Sequence, residues 1–141
     1  MASEFRVWKH RVPQGVDLEP LDRITGRDGS RLVEADVTSI DVVVYNVQEK
    51  TAILTRSGLS PTLGTDAETR VYDTLQTDGR WTPDNIGYNA KTVVTKAMLD
   101  AVTQTLEGGK RYRVEIKYVT TAWGDLYTVH EYTIDTLYQV V

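Results

Sequence analysis

The chain contains no cysteine, an absence that removes disulfides, thiolate nucleophiles and thiolate metal sites together. Stability must then come from packing and strand pairing. Long apolar runs are missing as well: the longest nearly apolar stretch lies around Val42–Tyr45, far short of the roughly 20 residues a membrane-spanning helix needs. No membrane partner is expected. The first residues, MASEFRVWKHRVPQG, lack the apolar core of a secretory signal, so export by that route is not expected. Histidine is scarce, with His10 and His130 standing at opposite ends of the chain. No HxH, HExxH or clustered acidic loop accompanies either, so no metal site is expected, and His130, alternating with Tyr132, reads as a core or rim residue. Phosphate-cradling glycine loops and a GxSxG elbow are absent too. No cofactor is expected.

What is present is the composition of one globular domain: 141 residues, 40% hydrophobic and 26% charged, enough to bury a core without staples. The net charge of −4 argues against general nucleic-acid binding, which needs a basic face to displace counterions from phosphates. Charge is unevenly placed. Arg6, Lys9 and Arg11 against Glu4 give residues 1–15 a net +2, which leaves −6 for the remainder. A short basic stretch bearing Phe5, Val7 and Trp8 thus precedes an acidic body. Residues 1–29 are interrupted by Pro13, Gly15, Pro20, Gly26 and Gly29 and read as an extended arm, with 30–141 as the folded domain. Exposed Phe, Trp and Val gain nothing in water, so the arm must dock, either on its own domain or on a partner.

Period-two patterning begins at Ile40–Val47, where apolar residues occupy both faces, as in a central strand. Strands at Thr51–Thr55, Thr69–Leu75 and Lys91–Thr95 follow. Residues 96–107 place Met98, Leu99, Val102 and Leu106 at helical spacing, with Thr95 as N-cap and Gly108-Gly109 as the stop. Arg111–Lys117 has the cleanest alternation: Tyr112, Val114, Ile116 and Tyr118 on one face, charged residues on the other. Ala122-Trp123-Gly124-Asp125 makes a turn, and the remainder returns as β structure. About seven strands with one helix before the penultimate one fit a mostly β protein, an immunoglobulin-like antiparallel β-sandwich with a short crossover helix at about 96–107 and an extended N-terminal arm.

The segment Val71–Asn89 is dense in Asp, Trp and Tyr. Asp66, Glu68, Asp73, Asp78 and Asp84 invite an acid/base pair, but each has a local reading as a turn former or the wet side of a strand, and no enzyme is expected. Trp81 and Trp123, in loops, are candidate contact residues for a partner or a sugar ring.

Thr74–Asn89 (TLQTDGRWTPDNIGYN), the run GGKRYRVE from Gly108, and Ala35–Ile40 leading into VVVYNV resemble a group of small virion accessory proteins of tailed bacteriophages. The resemblance implies an immunoglobulin-like domain of capsid cement or decoration type: a non-enzymatic protein on the capsid exterior, made in the host cytoplasm. It implies the major capsid protein as partner, with capsomers bridged and the shell stabilised. It also implies self-association, most simply as a dimer, and partner contacts through Phe5, Arg6, Val7, Trp8, Lys9 and Arg11. The alternative is a tail or baseplate accessory domain in contact with host carbohydrate.

Overall fold

The computed structural model describes residues 7–62, 68–101 and 106–136. Eight strands and one α-helix follow in order: β1 (Val7–Pro13), β2 (Leu21–Asp22), β3 (Val37–Asn46), β4 (Thr51–Leu59), β5 (Thr69–Gln76), β6 (Tyr88–Thr92), α1 (Lys96–Ala101), β7 (Arg111–Thr120) and β8 (Gly124–Asp135). One sheet has the order β1-β8-β7-β3-β4 and the other β2-β6-β5. This is the strand order of a variable-type immunoglobulin sandwich, in which an early strand leaves its neighbours to line up beside the last one. The described part of the stretch expected as an arm is therefore built into the fold: β1 pairs with β8, and β2 pairs with β6. The large sheet is mixed rather than purely antiparallel, because β1 runs parallel to β8.

The alternation in β3 and β7 explains the layering. Ile40, Val42 and Val44 face inward from β3, and Tyr112, Val114, Ile116 and Tyr118 from β7, all at most 2% exposed. Against them lie Val71, Ala90 and Val94 from the small sheet and its continuation, with Leu18, Ile24 and Leu32 closing the end. Each fully buried Val or Leu contributes roughly 1.5–3 kcal/mol, so this layer is the main source of stability.

Asn89 shows how a polar side chain can substitute for missing strand. Its Oδ1 accepts from the Ile24 N–H at 2.7 Å while its Nδ2 donates to the carbonyls of Ile24 (2.9 Å) and Leu32 (2.8 Å). It thereby ties the chain beyond the two-residue β2 to β6, and its buried amide is satisfied.

The crossover between sheets is capped as expected, with Thr95 Oγ1 accepting from the Met98 N–H at 3.1 Å. Helix α1 spans Lys96–Ala101 and buries Leu99; of the expected extension to 107, residues 102–105 lie outside the described residues, and Leu106 and Glu107 are not helical. Just beyond, the Tyr112 hydroxyl accepts from the Glu107 N–H at 3.0 Å, a tyrosine corner at the entry to β7. Replacing Tyr112 with Phe removes one hydrogen bond and leaves a backbone donor unpaired, so chemical denaturation should show a loss of about 1–2 kcal/mol with an unchanged slope.

Candidate functional site

The two histidines are brought together. Parallel pairing of β1 with β8 sets Trp8 beside His130 and His10 beside Tyr132, all on the inward face. His10 Nε2 lies 2.8 Å from His130 Nδ1, and His130 Nε2 lies 2.8 Å from Asp22 Oδ1. Asp22 Oδ2 accepts from Tyr118 (3.1 Å) and from Thr128 Oγ1 (2.9 Å). Asp22 and His130 are each 1% exposed. The carboxylate thus receives three side-chain hydrogen bonds in a low-dielectric interior, the condition under which a buried charge is tolerated. Burial, reinforced by the charge of Asp22, pushes the Tyr118 hydroxyl well above the usual phenol range, so it remains a donor.

This cluster is a clamp between sheets. Asp22 belongs to the small sheet, while Tyr118, Thr128 and His130 belong to the large one. Strands β2 and β7 correspond to the pair that a disulfide joins in antibody domains; here, without cysteine, a carboxylate–phenol hydrogen bond joins them. His10 extends the clamp to the edge strand. Its ring stacks on Tyr132 with centroids 4.6 Å apart and meets the His130 ring edge to edge, the two planes 16° apart. Burial, then the neighbouring His130, lowers the His10 pKa from 6.5 to about 4.

Beside the clamp lies an aromatic cluster. The Trp8 ring centroid is 5.9 Å from that of Trp81, which is itself 5.9 Å from that of Tyr88. Trp81 donates its indole N–H to Asp84 Oδ1 at 2.9 Å and is 8% exposed, so it offers no stacking platform. Trp123 is half-buried against the core, its ring lying over Gly26. Of the two tryptophans expected as contact residues, only Trp123 keeps a partly exposed ring.

The carboxylates weighed for acid/base chemistry are tied into structure. Asp78 accepts from Arg80 and Tyr88, Asp84 from Trp81 and the backbone of Ile86 and Gly87, and Asp73 from the Glu34 N–H. Glu68 accepts from Arg56 at 3.0 Å. Hydrogen bonds from Arg80 and Trp81 respectively hold Asp78 and Asp84 well below the usual carboxylate range, and burial, with the bond to Asp78, pushes Tyr88 up to about 12. Asp66 lies outside the described residues. Among the described residues no cluster of three His, Asp or Glu side chains is arranged to hold a metal ion.

Of the expected arm contacts, Phe5 and Arg6 lie outside the described residues. Val7 is half-buried, Lys9 and Arg11 are exposed, and Arg11 pairs with Asp135 at 2.7 Å. Trp8 points inward, committed to the clamp region rather than to solvent.

A surface that sequence reasoning did not single out is the outer face of the large sheet. Asp41, Val43 and Tyr45 of β3, Glu115 and Lys117 of β7, and Tyr127 of β8 border a shallow depression of about 260 Å³. Tyr127 is 48% exposed, and Val43 and Tyr45 are half-buried. Lys117 pairs with Asp41 at 3.1 Å, and Arg113 with Glu131 at 3.4 Å, so a charged stripe on β7 runs between Val43 and Tyr45 on one side and Tyr127 on the other. The signal was present in the two-sided apolar pattern of β3, which reads equally well as a strand covered on both faces.

Strand order and cross-sheet clamp together define an immunoglobulin-like β-sandwich stapled by polar side chains instead of a disulfide. No protein-family model matches the chain, and no curated protein matches it. A solved structure of ICOS in complex with ICOS-L and an anti ICOS-L VNAR domain is similar at TM-score 0.38 and 11% identity, over 94% of this chain and 56% of that one. That likeness is too loose to bear on function. The fold assignment rests on the strand order.

Proposed function

We propose that this chain is a non-enzymatic structural protein of a phage particle, of the decoration type, which binds the outer capsid and bridges neighbouring capsomers. The observation that carries the reading is the outer face of the five-stranded sheet. Arg113, Glu115 and Lys117 form a charged stripe along β7, flanked by Val43 and Tyr45 on β3 and by Tyr127 on β8, so aromatic and ionic groups stand side by side, a mixture that protein interfaces use. The resemblance of segments 35–40, 74–89 and 108–115 to virion accessory proteins supplies the class of partner, the major capsid protein. Because Trp8 is spent inside the fold, the working surface shifts from the arm's aromatics to this face, with exposed Lys9 available for acidic capsid groups. Many copies on a shell act together, so no single contact need be tight.

Co-sedimentation with assembled shells of the encoding phage tests the reading. Wild-type chain should bind and raise the temperature at which shells rupture. The pair Tyr45→Glu and Tyr127→Asp should weaken binding by about 30-fold, the loss of roughly 2 kcal/mol typical of an interface centre, while the near-ultraviolet circular dichroism keeps its native form. Equal binding by the variant would exclude this face; no binding by wild type would exclude the decoration role.

A further inference from the structure

We propose that His10 is the catch of a proton-operated latch: adding a second proton to the His10–His130 pair releases β1 from the edge of the large sheet while the rest of the sandwich stays folded. The inference is independent of any partner and rests on the hydrogen-bond chain. The Asp22 carboxylate can only accept, so His130 donates its Nε2–H to it. Across the 2.8 Å contact between His10 Nε2 and His130 Nδ1 one nitrogen donates and the other accepts. One hydrogen fits there. With both rings carried to imidazolium, each nitrogen would aim a hydrogen at the other, and the contact has to open.

The groups facing His10 cannot absorb that second charge. Strand β8 contributes His130 and the stacked Tyr132, β2 contributes Asp22, and β7 contributes the un-ionised Tyr118. Glu19, which precedes β2 and influences Tyr132, is itself held by Arg80. Asp22 is the one anion directly in the chain, and its oxygens already accept from Tyr118, Thr128 and His130. Burial and His130 accordingly outweigh Asp22 and lower His10 to about 4.

The sign follows from linkage. A released β1 binds the proton near pH 6.5, the docked one only near 4, so the released state binds more protons in between and docking weakens as pH falls. The weakening approaches tenfold per pH unit, about 300-fold over the whole span. Release is local because β1 is an edge strand bonded, among the described residues, to β8 alone, whereas β3 and β7 are paired on both sides. Its inward residues Trp8, His10 and Val12 are all only half-buried, and the exposed link Gln14–Asp17 contains Gly15 at φ +86° as a hinge.

The test is amide hydrogen exchange by NMR on the full chain between pH 7 and 5, corrected for intrinsic rates. Protection of residues 8–12 should fall by about 10- to 30-fold, with β3 and β7 amides unchanged. His10→Gln, which keeps a donor toward His130, and His10→Phe, which keeps the stacking on Tyr132, should both flatten the profile. Flat protection in wild type, a fall shared by β3 and β7, or a fall that persists in the variants would each overturn the latch. So would a His10 ring titrating near 6.5 while β1 stays protected, a reading that needs no variant.

Discussion

Asp22→Ala is expected to lower the unfolding free energy by about 3–5 kcal/mol, which for a domain of this size corresponds to a fall in midpoint of roughly 10–20 °C. The reason is asymmetry: forming a buried polar cluster stabilises little net, but removing its acceptor strands every donor. Tyr118, Thr128 and His130 all point at this one carboxylate. Without it the hydroxyl of Tyr118, a residue 1% exposed, keeps only the hydroxyls of Thr92 and Thr128 beside it and cannot reach water. A double variant separates the two groups. Adding Tyr118→Phe to Asp22→Ala should recover about 1 kcal/mol or more, since it deletes the stranded hydroxyl, whereas Tyr118→Phe alone should be mildly destabilising. Two additive losses in differential scanning calorimetry would mean that Asp22 and Tyr118 act separately and that no clamp exists.

Gly87→Ala is expected to cost about 2–4 kcal/mol for a different reason, backbone geometry. Gly87 has φ +109°, a region side chains rarely adopt, and a Cβ there would lie 2.3 Å from the carbonyl oxygen of Gln76. That oxygen cannot retreat, because Gln76 is paired with Tyr88 between β5 and β6. Urea titration should therefore show a lower midpoint. Gly79→Ala is the control: nothing lies within 4 Å of a Cβ at Gly79, and the change should move stability by less than about 0.5 kcal/mol. Equal effects at the two positions would show that conformational freedom of the unfolded chain, not the close approach to Gln76, governs both.

Legibility in the sequence followed the range of the interaction. Strict alternation in Tyr112–Tyr118 marked β7 and its buried face, and Thr95 marked the start of the crossover helix, because such patterns are set by neighbours within a few residues. The segment Val71–Asn89 was readable as turn chemistry, yet β6 begins at Tyr88, inside what looked like a connection. Tyr88, Asn89 and Ala90 are buried together, so tertiary packing overrode the turn signal of Gly87. Trp81 likewise sits between Arg80 and Thr82 in sequence, with nothing local to show that Trp8 would cover it.

The sequence by itself determined a cysteine-free β-rich chain with one crossover helix, strand faces fixed by period-two alternation, and turns placed by Gly, Pro and Asp. Only the tertiary structure decided that the first strand lies parallel to the last, and with it the contact of His10 with His130 and their link through Asp22 to the opposite sheet. Alternation states which side chains share a face within one strand. It carries no information about which strand lies next to it, a choice settled by the packing of the whole sandwich across more than a hundred residues of chain.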